Sequence, residues 1–306
     1  MSFYINLDES VFASSKQKLS SSMVENYLKN INFYRYKEGS KKIHLNSEEV
    51  VNNQMTGQMI TKNPNGVIVE DGDDPLYYSG DSGFFNKSIG QLNLNGNVEI
   101  RVNDTIANSE RLIYRQSDEI IDLIGNVKTK TNNQNMLYRV LINSDRAKYL
   151  KAQGILKYRD NVDGVVQRKR KFELPIFFKS DKLDFFELDM RADLLGNVEI
   201  TKQQTVATSR RGEIFLENYN KKLKYFALYD DVVVVQDVIP EDGQPPFKRE
   251  SFSEKLEGYP SENLVVLLGY PKVNQKQDVI KGNIIILRDN NETIEVDNAN
   301  SNFRLK

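Results

Sequence analysis

One heptapeptide recurs along this chain. Leu-x-Gly-Asn-Val stands as LNGNVEI at residues 94–100, LIGNVKT at 123–129 and LLGNVEI at 194–200, with weaker echoes in YRDNVDG (158–164), YDDVVVV (229–235) and LGYPKVN (268–274). Gly125 to Asp160 is 35 residues and Asp160 to Gly196 is 36, so strong and weak copies share a unit of roughly three dozen residues. A second element lies between copies: a small residue, a polar pair, then an apolar strand. It reads ANSERLIY (107–114), NSDRAKYL (143–150), ATSRRGEIFLE (207–217) and SEKLEGY (253–259). Glycine and asparagine both tolerate positive φ, which predicts a tight turn before the chain re-enters a pleated strand.

The stretches around these motifs are short, alternating and β-branched, broken by Gly, Asn and Asp: KIHLNS (42–47), GVIVE (66–70) and VEIRV (98–102) are examples. No helical stripe is sustained after residue 32, so the predicted fold is all-β, an elongated antiparallel jelly-roll of repeated two-sheet units. Residues 1–30, Ser- and Lys-rich, read as a short tether with a helix over Met23–Ile31. Two rolls are expected, 31–165 and 172–306, the second continuous with the first. The join includes the basic run Arg168–Lys171, read as a solvated loop with an anionic lipid headgroup as the other use.

Catalytic and metal chemistry has little to work with. The chain has no cysteine and one histidine, His44, so thiolate zinc sites, cysteine nucleophiles and multi-histidine metal sites are excluded, and no cofactor is expected. Gly80-Asp81-Ser82-Gly83 looks like a serine-protease nucleophile loop, but the only histidine that could serve as its base, His44, has none of that family's surrounding signature, and a turn is expected. His44 reads as a strand residue. The acids Glu70, Asp71, Asp73 and Asp74 lack calcium-loop spacing and read as a solvated loop. A net charge of -1 argues against nucleic acid as a partner.

The apolar strand positions remain. Val98, Ile100, Leu112, Tyr114, Val198, Ile200, Leu216, Leu264, Val266, Leu268, Ile284 and Ile286 are expected to face inward. An open-seamed roll could solvate acyl chains with such a lining, since each buried methylene is worth about 0.8 kcal/mol. For Val232–Val235, apolar on both faces, the inward side is undetermined. The competing reading is a structural or adhesive β-repeat protein with a sealed core.

In order and spacing, the motifs resemble the OstA-like bridge proteins of lipopolysaccharide transport. Residues 173–200 (ELPIFFKSDKLDFFELDMRADLLGNVEI) and 253–296 are similar to an LptA domain. SMVENYLKNINFYRYKEGSKKIHLNSEEV (22–50), YSGDSGFF (78–85), LNLNGNVEI (92–100) and ANSERLIY (107–114) resemble the periplasmic part of LptC. The resemblance implies a non-enzymatic periplasmic bridge that carries lipopolysaccharide, tethered to the inner membrane by a helix preceding this chain. It also implies an N-terminal edge at Ile43 and Leu45 that meets the inner-membrane lipopolysaccharide ABC transporter. A C-terminal edge at Ile294 and Val296 would meet an LptA-type subunit or the outer-membrane translocon, or support head-to-tail self-association.

Overall fold

The computed structural model describes residues 3–6, 25–37, 40–53, 55–69, 74–131, 138–168, 174–217, 223–239, 245–262, 264–288, 294–297 and 300–302. Among them the chain is β throughout, apart from one 3-10 turn at Lys151–Gln153, and its strands pair antiparallel. The expected all-β antiparallel class is what the chain adopts. It divides into two compact units, Met1–Asn133 with Arg146–Gln153, and Gln134–Asp145 with Gly154–Lys306. Residues 134–145 and 154–165, expected with the first roll, therefore belong to the second unit.

Unit 1 contains β1 (Phe3–Asn6), β2 (Glu25–Lys37), β3 (Ser40–Asn53), β4 (Gln58–Lys62), β5 (Asn65–Ile68), β6 (Leu76–Ser79), β7 (Ser82–Asn86), β8 (Gln91–Val102), β9 (Thr105–Arg115) and β10 (Ile120–Thr131). β2 lies between β1 and β3. One half of β3 pairs with β4, the other with β5, and β8 likewise takes β7 and β6 before β9 and β10 follow. The helix expected over 23–31 is instead the start of β2. Its residues Tyr27–Lys29 are laddered to Glu49–Val51, and Ile31 and Phe33 alternate into the core, a period of two that outweighs local propensity. Residues 3–6 also form a strand, on Asn32–Arg35, so the tether reading holds for neither segment; residues 7–24 lie outside the described ones.

β11 (Tyr138–Leu150) contributes to both units. Unit 2 continues with β12 (Ile155–Arg168), β13 (Ile176–Phe186), β14 (Arg191–Lys202), β15 (Thr205–Leu216), β16 (Leu223–Val238) and β17 (Phe247–Tyr259), each laddered to the next. β17 then pairs with β18 (Leu264–Leu268) and β19 (Lys272–Gln275). β18 leads to β21 (Ile284–Arg288) and β22 (Ile294–Asp297), and β19 leads to β20 (Asp278–Lys281) and β23 (Asn300–Asn302).

The repeated motif turns out to be a bend within a strand, where a tight turn between strands was expected. Gly96-Asn97, Gly125-Asn126, Asp160-Asn161, Gly196-Asn197, Asp230-Asp231 and Gly269-Tyr270 all hold positive φ at both residues. In β8 the register slips between Asn95 and Val98, so Gly96 and Asn97 together oppose Glu110. Two left-handed residues inserted in one strand of a pair form a bulge that bends the strand sharply. The bulge's partner is an acid on a neighbouring strand, from the second sequence element for Glu110 and Asp145 and from the GDSG and KSDK segments for Asp81 and Asp181. Asn97 Nδ2 donates to Asp81 at 2.9 Å, Asn161 to Asp145 at 2.7 Å and Asn197 to Asp181 at 3.0 Å, with Asn126 bonded to Glu110 in the same way. The residue before the acid is mostly a buried serine whose hydroxyl donates two residues on, as from Ser109 to the Arg111 carbonyl at 3.0 Å and Ser180 to Lys182 at 3.0 Å. In the fifth copy the charges are exchanged: Arg211 and Arg210 face Asp230 and Asp231 at 2.7 and 2.5 Å. Complementarity survives although the letters do not.

Candidate functional site

The row of bulges creases the unit 1 sheet into two leaves. One carries the halves of β3, β8 and β9 that meet β4 and β7; the other carries the halves that meet β5 and β6. The leaves face each other. Phe33, Ile43, Leu45, Ile68 and Tyr78 from the second leaf and Phe85, Leu92 and Tyr114 from the first line one apolar cavity, and the Phe33 and Phe85 rings lie 6.1 Å apart. Room for solvent inside is only about 10 Å³, roughly the least that admits a single water. An acyl chain can enter only if the leaves part. The Tyr78 hydroxyl, which donates to the His44 carbonyl at 3.1 Å across Gly66, is pushed to higher pKa by burial and stays neutral.

Of the inward positions expected from sequence, Val98, Ile100, Leu112 and Tyr114 are buried in this interior, and Val198 is buried in unit 2. Ile200 and Leu216 are half-buried on the inward rows of β14 and β15. The C-terminal five are on the other side. Leu267, Ile285 and Leu287 are the buried residues of β18 and β21, so Leu264, Val266, Leu268, Ile284 and Ile286 occupy the opposite face, half-exposed. Both strands are apolar at every one of these positions, so alternation carries no phase. In β16 the inward side is that of Val232 and Val234.

The expected N-terminal edge is also displaced. Ile43 and Leu45 are 4% and 2% exposed, and β3 is laddered on both sides, so it offers no free backbone. β1 covers only Asn32–Arg35 of β2, which leaves Glu25–Ile31 with β3 as its sole partner among the described residues. β22, with Ile294 and Val296, pairs with β21 alone among the described residues. Asp81 of the GDSG segment is a bulge partner, and the His44 ring stacks on Tyr34 at 4.6 Å and meets Asn32 Oδ1 at 3.1 Å. Glu70, Asp71, Asp73 and residues 169–171 lie outside the described residues. Asp74 is exposed and accepts from Asn103.

On the face of unit 2 opposite its core, Asp184, Asp193 and Glu213 stand side by side on β13, β14 and β15. Arg159 pairs with Asp184, and Arg191 with Asp193 at 2.9 Å. Burial nevertheless holds the Asp193 carboxyl above its usual range, with Glu213 and Asp184 adding to it against the pull of Arg191. A carboxyl raised on folding weakens the fold above its unfolded pKa, and that penalty fades as pH falls through the folded value. Asp193→Asn should therefore melt at or above wild type at pH 7, the gap closing on acidification. Melting curves from pH 7 to 4 check this, and a variant less stable throughout would contradict it.

Comparison with known proteins adds a partial family match. Residues 1–122 match the family described as Lipopolysaccharide-assembly, LptC-related. Over those residues, fewer than half of the chain, it is similar to that family. The match covers the N-terminal part of the sequence resemblance, the part that is similar to LptC. Among solved structures the chain is similar to the crystal structure of LptH, the LptA homologous periplasmic component of the conserved lipopolysaccharide transport device from Pseudomonas aeruginosa. The TM-score is 0.38 and the identity 14%, over 43% of this chain and 96% of that one. No curated protein matches the chain. Among the described residues no helix is long and apolar enough to cross a membrane.

Proposed function

We propose that this LptC-like chain is a periplasmic bridge protein that takes the acyl chains of lipopolysaccharide between the leaves of unit 1 and passes the lipid on. The family match over residues 1–122 carries the reading, and the apolar interior lined by Tyr114, Phe85 and Tyr78 supplies a surface suited to it. The LptA-like motifs of unit 2 would give it a lipid-binding role of its own. Its partners would dock by strand addition. The inner-membrane lipopolysaccharide ABC transporter would meet the Glu25–Ile31 edge of β2, and an LptA-type subunit, the outer-membrane translocon or a second copy would meet β22.

The closed interior favours the competing reading, a sealed β-repeat protein, so the test must see lipid inside. A photo-crosslinker at Tyr114 or Ile100, both buried, should capture lipopolysaccharide in cells, and one at the exposed, outward Glu99 should not. Equal labelling at inward and outward positions, or none at either, would sink the transport reading.

A further inference from the structure

The interior of unit 1 is apolar, but its mouth is cationic. The inward row of β2 runs Ile31, Phe33, Arg35, away from the crease and out to the lip of the second leaf. On the first leaf Lys87 follows Phe85 beyond the end of β7, and Gln116 follows Tyr114 beyond β9. Arg35 Nη1 donates to Gln116 Oε1 at 2.6 Å, a contact between residues 81 apart in sequence that ties one lip to the other. The Gln116 N–H donates to the Gly90 carbonyl at 3.1 Å, which fixes the 87–90 turn against the same point. Lys87 Nζ lies 5.3 Å from the centre of the Phe33 ring on the opposite leaf and donates to Asn52 Oδ1 at 3.4 Å. Both cations are thus engaged in holding the mouth closed.

We propose that this mouth is a latch opened by an anionic amphiphile, whose carboxylate or phosphate draws Arg35 and Lys87 away from Gln116 and Phe33 while its acyl chain takes the interior so uncovered. The proposal rests on reading the interior as a lipid site, and adds the headgroup chemistry that site selects. A guanidinium bonds an anion more strongly than it bonds a neutral amide, so the exchange favours the charged head. Ligand affinity is also reduced by the fraction of molecules that are open. Loosening the latch therefore tightens binding of every amphiphile, whereas removing a cation also weakens binding of the anionic ones alone.

Fluorescence titration of the full chain with cis-parinaric acid and with its methyl ester separates these effects. Wild type should bind the acid several-fold more tightly than the ester. Gln116→Ala should tighten both by a common factor, and Arg35→Gln with Lys87→Gln should bring the acid-to-ester ratio close to one. Displacement of the acid by oleate, or only by bis-phosphorylated lipid A, assigns the head as carboxylate or phosphate, and either upholds the latch. Equal affinity for acid and ester in wild type overturns it, as does Gln116→Ala binding that is no tighter, even where the double variant fails to fold. Absence of binding by either probe in wild type and Gln116→Ala would instead remove the lipid-site reading beneath it.

Discussion

Truncation of Leu267 to alanine is expected to destabilise the chain by about 2 to 5 kcal/mol, while the same change at the adjacent Val266 costs about 1 kcal/mol or less. Leu267 is fully buried and its Cα partner is Ile285, also fully buried, so a truncated side chain leaves a hole that neighbours on two strands cannot fill. Val266 sits between Glu257 and Ile286 on the half-exposed face, where a smaller side chain loses contact area but creates no cavity. Urea unfolding of the two variants measures the difference directly. Comparable losses at both sites would mean that β18 packs on both faces and that its phase has been misassigned.

This pair of neighbours shows where the sequence is legible and where it is not. The Leu-x-Gly-Asn-Val repeat was readable because two consecutive left-handed residues restrict the choice so narrowly that Gly, Asn and Asp fill every such position but Tyr270. What it could not reveal was that the bend lies inside a strand, since a hairpin turn asks for the same residues. Positions such as Val98 and Leu112 were correctly placed because polar neighbours, Glu99 and Arg111, fix the phase of their strands. β18 has no such neighbour and β21 only Arg288 at its end, and a one-residue error there sends the whole apolar set to the wrong face. Nor could local pattern locate the free edges. Whether β3 is an edge depends on β4 and β5 returning to it, and β2 is partly covered by a segment nearly thirty residues earlier. The Arg35–Gln116 contact is still more remote, joining a strand end to a turn across the mouth of the fold.

Phe33→Ala should cost about 3 to 5 kcal/mol, because a ring that is 1% exposed is removed from between the two leaves, where it meets Phe85 and the Lys87 ammonium. The loss also changes what the interior can hold. In wild type the cavity admits about one water, whereas removing a phenyl ring would leave an apolar space of benzene size lined by Leu45, Tyr78, Phe85 and Tyr114. A ligand that binds only the folded state raises its stability in proportion to occupancy, so millimolar benzene should raise the melting temperature of Phe33→Ala by several degrees and leave wild type unchanged. The comparison reports on the resting state of the mouth. If benzene stabilised both proteins equally, wild-type unit 1 would already be open to apolar ligands, and neither the tight interior nor a closed latch would describe it.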